Sequence, residues 1–570
     1  MNNTNHIFSL IWSIADDVLR GTFKPNEYGR IILPFVVLRR LDCVLEQNKD
    51  LAIKTFELYK DKIDDPEDVV LKKLQLSFYN ISKYDLEKLK SDPTNIKQNF
   101  ENYIQGYSEN VRDIIKNFNL QPLVDKLQDN DKLYLLIDKY TTVDLHPDTI
   151  DNHQMGTIYE ELLRKFSEMT NEESGDHFTP RDIVQLLVTL VFGPDKENLK
   201  GKGLIRTIYD PCCGTGGLLS IGKQWVKENI NSEISIELFG QELNDQTYAI
   251  CKSDQLISGE NPENIFGGLS TLTKDQLKDN KFDYIIANPP YGVSWKSEAD
   301  EIKEEAKDPN GRFGAGTPRI SDGSLLFLQH MISKMNPEGS RIGVVFNGSP
   351  LFTGDAGSGE SEIRKWVIEN DMLECVVSLP DRMFFNTGIT TYIWIVTNKK
   401  SSDRKGKVQL IDGSSFFSPI RKNLGDKGKY ITDEQIEQLF NIYQKNEENE
   451  LSKIYQNNSF GYTKVVVEQP LIKDGDIKTD SNGHFKPDVS KRDYERVPLS
   501  ENVEEYFDRE VKQYLEEFRL DRSKDKVGYE INFTKYFYQF SPLRSLEEIS
   551  EDFKNLINDI EKLSREITNE

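Results

Sequence analysis

A chain of 570 residues, 37% hydrophobic and 29% charged, is long enough for two or three domains with full cores and too apolar to be disordered. A net charge of −23 repels a polyanion, so if DNA is the substrate most of the attraction must come from a partner chain. Five cysteines are no disulfide framework and point to a reducing cytosol, and six scattered histidines offer no metal-ligand spacing.

Residues 1–165 read as a helical N-terminal domain. Ile7, Leu10, Ile11, Ile14 and Val18 recur at helical spacing, and Tyr28–Glu46 is a second strong helix. The longest apolar run near the N-terminus, Ile31–Leu38, lies between Arg30 and Arg39. It is too short to span a bilayer, and no signal-peptide pattern precedes it. From about 175 short apolar runs alternate with helices. The strand candidates are Leu204–Tyr209, Ile234–Gly240, Tyr284–Ala287, Arg341–Phe346, Leu373–Leu379 and Thr391–Thr397. Strands separated by helices predict an α/β domain over 166–430, a mostly parallel sheet with helices on both faces. Residues 296–323, charged and then glycine-rich, read as a mobile loop beside a site. The remainder, 431–570, reads as acidic and helical. Its last helix, 545–570, starts at a capping box of Ser545 and Glu548 just after Pro542. Leu546, Ile549, Phe553, Leu556, Ile560, Leu563 and Ile567 then form a narrow seam suited to another helix.

Three motifs fall in the α/β domain. In "IYDPCCGTGGLL" (208–219) a strand ending at Asp210 runs into Gly214-Thr215-Gly216-Gly217 and then a helix, a turn that lets a ligand approach bare backbone. The spacing is neither a dinucleotide fingerprint nor a phosphate loop. The bland reading is a tight strand–helix turn. A nucleophilic role for Cys212 is rejected, because no histidine stands nearby in sequence to act as base. In "LFGQELN" (238–244) a strand ends in Glu242, which can accept both hydroxyls of a ribose. Taken alone, a solvated glutamate is the simpler reading. In "FDYIIANPPYG" (282–292) a buried strand ends in Asn288, Pro289, Pro290 and Tyr291. The prolines fix the backbone and remove donors, leaving outward carbonyls. With the Asn288 carbonyl and the flat face of Tyr291, such a tip can accept both hydrogens of an exocyclic amine while a planar base stacks. Drawing an adenine amine toward tetrahedral geometry frees its lone pair for attack on a sulfonium methyl.

With these residues in view, the chain closely resembles the modification subunits of type I restriction–modification systems, S-adenosylmethionine-dependent adenine-N6 DNA methyltransferases. Besides the glycine turn and the Asn-Pro-Pro-Tyr tip, the resemblance rests on "IWSIADDVLRG" (11–21), "SDGSLLFLQHMI" (321–332) and an almost continuous 361–399. It also rests on Asp176, His177, Phe178, Thr179, Pro180 and Arg181, which look like the family's cofactor-contacting segment. There Thr179 reads as a helix N-cap, Pro180 as the first helical residue and Asp182 as the third. The resemblance implies a Rossmann-like methyltransferase domain that binds S-adenosyl-L-methionine through that segment, Asp210, the 214–217 turn and Glu242. It implies a flipped adenine held by Asn288, Pro289, Pro290 and Tyr291, with no metal. The segment 267–272 departs from the family, which has an acidic or Asn residue there, and Asp254 is a weak substitute.

The methyltransferase motifs end near 400, and no Walker A sequence follows. The resemblance therefore implies a specificity subunit that reads DNA, a second copy of this chain beside it, and a separate restriction subunit carrying motor and nuclease. It implies a cytoplasmic complex with no membrane partner. Two alternatives come from other classes: a cofactor-binding scaffold, and a methyltransferase for another planar nitrogen such as a protein glutamine amide.

Overall fold

The computed structural model describes residues 2–170, 179–385, 387–473, 476–481, 483–515, 517–538 and 545–568. The predicted site residues Asp176, His177 and Phe178 lie outside them.

The N-terminal part is built of helices, from Asn2–Ile14 to Asn152–Thr170. Ile7, Ile11, Ile14 and Val18 are all buried, as their spacing predicts. The helix Tyr28–Leu45 is apolar nearly all round because it runs through the middle of this bundle. Its buried Arg40 donates to the carbonyls of Leu145 (2.6 Å) and Ile150 (2.7 Å) and to Asn152 Oδ1 (2.7 Å), fixing where the helix Asn152–Thr170 starts. That helix crosses the predicted boundary at 165, so the boundary moves beyond it.

The strands of the main sheet are β1 (Ile205–Asp210), β2 (Ser235–Glu242), β3 (Ile265–Gly267), β4 (Tyr284–Ala287), β5 (Arg341–Asn347), β6 (Leu373–Ser378), β7 (Thr391–Thr397) and β8 (Lys407–Asp412). A hairpin of β9 (Ser418–Leu424) and β10 (Lys427–Tyr430) follows, and β11 (Ser452–Gln456) returns to the main sheet. The nine-stranded order is β11-β8-β6-β7-β5-β4-β1-β2-β3. Pairing is parallel except where β7 inserts between β5 and β6 and where β11 pairs with β8. All six predicted strands are present, and the inner β4, β5 and β6, buried on both faces, show the apolar runs that make such strands distinctive. Between β1 and β4 the strand order reverses direction. That is the switch point at which α/β sheets open a crevice beyond the carboxyl ends of their strands.

Three expectations need correction. The predicted boundary at 430 falls inside the sheet, since β11 pairs with β8 along its length and the helix Asp433–Lys445 packs on the main core through Ile436, Leu439 and Tyr443. The region after 430 is also not uniformly helical. After β11 come β12 (Gly461–Glu468), the short β13 (Ile472–Lys473) and β14 (Asp476–Ile477), β15 (Asp493–Pro498) and β16 (Arg519–Tyr529). The last two flank β12 in a separate three-stranded sheet. Strand β16 reads "RLDRSKDKVGY", so its charges hide the alternation, and ion pairs such as Arg519 to Glu468 (2.7 Å) take up the exposed charges. Finally, 296–323 is not an open loop. Arg312 donates to the carbonyls of Thr271 (3.1 Å) and Leu272 (2.8 Å) and to both oxygens of Glu305 (2.7 Å each), while Trp295, Ile302 and Phe313 form a small core with Leu326.

Residues 532–570 form a second unit. Within it the helix Leu546–Thr568 begins at the expected capping box: Ser545 N–H donates to Glu548 Oε2 (2.9 Å) and Glu548 N–H to Ser545 Oγ (3.2 Å). Leu546, Phe553, Leu556 and Ile560 are each at least 60% exposed. The side chains of Leu563 and Ile567 lie outside the described residues. Among the described residues no helix is long and apolar enough to cross a membrane.

Candidate active site

At the carboxyl end of β1 the chain must turn sharply under β2. Cys213 N–H donates to Gln241 O (3.1 Å), Gly216 N–H to Cys213 O (2.8 Å), and Gly214 and Gly216 take φ of +53° and +86°. A Cβ on Gly216 would stand 2.7 Å from Cys251 Sγ, whereas one on Gly217 would meet nothing. The turn is therefore packed on one side and bare on the other. The bare side opens on a cleft of about 970 Å³, whose wall includes Asp210, Gly214, Thr215, Gly217, Glu242 and Asn288.

Glu242 is only 7% exposed, so the solvated reading is overturned. Its Oε2 accepts from Gly214 N–H (2.9 Å) and its Oε1 from Asn244 N–H (2.8 Å). It thus braces the glycine turn, and each oxygen keeps a lone pair for a ligand hydroxyl. Asp210 is fully buried. Its Oδ1 accepts from Cys212 N–H (3.0 Å), but Oδ2 has no partner. Burial, reinforced by the nearby Glu242 carboxylate, pushes the Asp210 carboxyl up to about 7. A buried acid with a free oxygen on a cleft wall calls for a cation or a donor. The α-ammonium of S-adenosylmethionine is such a group and its ribose hydroxyls suit Glu242, so the residues present fit that cofactor. The Cys212 thiol is pushed up by burial and by Asp210, which agrees with rejecting it as a nucleophile.

The tip after β4 stands next along the sheet from the turn after β1. Asn288 Nδ2 donates to Thr179 Oγ1 (3.0 Å), and Tyr291 OH donates to Asn288 Oδ1. The amide is held at both ends. Pro289 is buried and Pro290 half-buried, and among the described residues no group donates to either carbonyl. Tyr291 is half-buried against the main core, and burial pushes its phenol up.

The segment before β1 departs from its predicted role. The helix starts at Arg181 with Pro180 as its N-cap residue and no side-chain cap, one residue later than expected. Asn288 has taken the Thr179 hydroxyl that would have capped it. Asp182 accepts from Lys427 and from Ile431 N–H (3.0 Å) instead of serving its own helix. Thr179 lines the cleft, while Pro180 and Arg181 do not. In the atypical segment Ser270, Thr271 and Leu272 line the cleft, and Thr271 Oγ1 donates to Pro211 O (2.6 Å). Asp254 also lines it, accepting from Ser220 Oγ (2.9 Å). The sequence reading missed Asn152 and Gly156 of the N-terminal bundle and Trp295, which complete the wall. No local pattern marks them, since only packing brings them there.

The N-6 DNA methylase family model matches residues 150–488, and the model of the HsdM N-terminal domain matches 7–140. The chain is 27% identical over 536 residues to the type I restriction enzyme MjaIX methylase subunit of Methanocaldococcus jannaschii, covering 90% of this chain and 89% of that one. It is 24% identical over 564 residues to the MpnII methylase subunit of Mycoplasma pneumoniae, covering 91% and 97%. The fold matches a crystal structure of the type I restriction-modification system methyltransferase subunit from Streptococcus thermophilus with a TM-score of 0.63 at 22% identity, over 80% of this chain and 97% of that one.

Proposed function

Since the chain belongs to the N-6 DNA methylase family, we propose that its cleft holds S-adenosylmethionine and that Asn288, Pro289, Pro290 and Tyr291 hold the target adenine. The chain is an adenine-N6 DNA methyltransferase, the modification subunit of a type I restriction–modification system. The observation that carries the residue roles is Asn288: an amide clamped by Thr179, ending the strand beside the glycine turn.

The cofactor, when bound, supplies an electrophilic methyl on a sulfonium centre. Asp210 holds the ammonium end and Glu242 the ribose, while the 214–217 turn lets the ligand lie against backbone. Asn288 Oδ1 and the Pro289 carbonyl accept the two hydrogens of the adenine amine, which localises its lone pair. Tyr291 stacks on the base, and such stacking at about 1–3 kcal/mol partly offsets a flipping cost of a few kcal/mol. In this structure the Tyr291 hydroxyl occupies Asn288 Oδ1, so an arriving amine replaces one hydrogen bond with another. A specificity subunit reads the target and contributes basic surface that a chain of net charge −23 lacks. It docks on the exposed seam of the helix Leu546–Thr568, beside a second copy of this chain. A restriction subunit joins them in the cytoplasm.

The test is Asn288→Ala in the complex with its specificity subunit. Methyl transfer from labelled cofactor to DNA should disappear while calorimetry finds cofactor affinity nearly unchanged. Loss of both together, or transfer at the normal rate, would remove Asn288 from the adenine site, and only a wild-type complex that transfers no methyl would leave the scaffold reading.

A further inference from the structure

The target side of the sheet edge carries a basic feature that methyl transfer does not use. Beyond Asn288, away from the cofactor turn, stand the ends of β5, β7 and β6. The turn after β6 holds Arg382, exposed and in left-handed backbone at φ +58°, a conformation that disfavours side chains. Its backbone is pinned, with Arg382 N–H donating to Gly388 O (3.3 Å) and its carbonyl accepting from Gly428 N–H (3.0 Å). A Cβ at Gly428 would stand 2.8 Å from Arg382 Nη2, so the glycine makes room for the guanidinium along the β9–β10 hairpin.

That hairpin, 418–430, carries Arg421, Lys422, Lys427 and Lys429 against one acid, Asp426, in a chain of net charge −23. Two of the four cations are neutralised. Lys427 Nζ donates to both oxygens of Asp182 (3.1 Å each), and Lys429 pairs with Asp381. Arg382 and Arg421 are exposed, and neither makes an ion pair among the described residues. The hairpin is also tied to the catalytic tip, because Asp182 stands three residues past Thr179, the residue that holds Asn288. Three strand spacings separate the ends of β6 and β4, roughly 14 Å, or about four base-pair steps.

We propose that Arg382 and Arg421 form a clamp for backbone phosphates of the target DNA, a few nucleotides from the flipped adenine. The proposal rests on the adenine-site reading of Asn288 for its direction. A planar guanidinium matches two phosphate oxygens at once, and two uncompensated cations on an acidic molecule select a polyanion. Continuity with the catalytic tip makes that polyanion the strand being methylated. The clamp is local: it holds the DNA at the site, while overall attraction remains with the specificity subunit.

The test uses the complex with the specificity subunit carrying Arg382→Gly, Arg421→Ala or both. Glycine preserves the left-handed turn while removing the cation. DNA binding is measured at a series of salt concentrations. Each substitution should flatten the slope of log affinity against log salt by about 0.9, equally for target and non-target DNA. Cofactor affinity should not change, and lysine at both positions should keep most of the slope. An unchanged slope overturns the clamp, and so does loss of the specificity subunit from the complex with cofactor binding intact, which would make the patch a protein interface. Because binding is read without turnover, a wild-type complex that binds DNA without methylating it would refute the adenine-site reading separately.

Discussion

Two side chains in the cleft have consequences for measurement. Thr179 holds Asn288 by a hydrogen bond between residues 109 apart in sequence, so it should act on the chemical step through the amide it orients. Thr179→Val should lower kcat about tenfold, the worth of one well-placed hydrogen bond, while calorimetry finds the cofactor Kd little changed. Thr179→Ser should restore the rate. A Kd that rises with the valine would instead give Thr179 the cofactor contact implied by the resemblance. Asp210 is the second case. Its carboxyl is raised from an ordinary 3.8 to about 7, so in the cofactor-free protein the native state keeps a proton that the unfolded chain releases. The associated stability is fully present below about pH 4 and is lost as the pH rises toward 7. Asp210→Asn removes that loss. Its stability relative to wild type should therefore rise between pH 5 and pH 8, by on the order of 4 kcal/mol at most. Wild-type cofactor affinity should strengthen over the same range, as the carboxylate proposed to hold the ammonium ionises. Parallel denaturation curves at the two pH values would show that Asp210 does not titrate there.

Helices and strands differ in how openly the sequence declares them. The last helix is marked by its capping box and by a seam whose residues Leu546, Phe553, Leu556 and Ile560 all stand exposed. An exposed seam of this width suits one partner helix. Ending the chain after Pro542 should leave a folded, cofactor-binding protein that no longer co-purifies with the specificity subunit or methylates its target. A shortened chain that still assembles would move the partner interface elsewhere. Strand β16 was illegible for the opposite reason. Between Leu520 and Val527 it carries only charged and polar residues, so neither apolar alternation nor an apolar run betrays it. The hairpin of β9 and β10 is similar, tied to Asp182 by its buried Lys427.

At the scale of the whole molecule, what the sequence determined by itself is the chemistry and the sheet that presents it. Asp210 with its glycine turn, Glu242 and the Asn288–Tyr291 tip each close a strand within a few residues, and local rules govern that far: buried strands need β-branched runs, tight turns need glycine, and outward carbonyls need proline. A net charge of −23 likewise implied dependence on another chain for DNA. Only the tertiary structure decided who holds whom. It bound Thr179 to Asn288 and Asp182 to Lys427, 245 residues on. It also closed the cleft with Asn152 and Gly156 of the helical bundle, and set Arg382 against Gly428. Such contacts join segments whose separation in the chain carries no period, and each is made by one or two polar atoms. Their positions follow from the packing of whole elements, which no stretch of local sequence encodes.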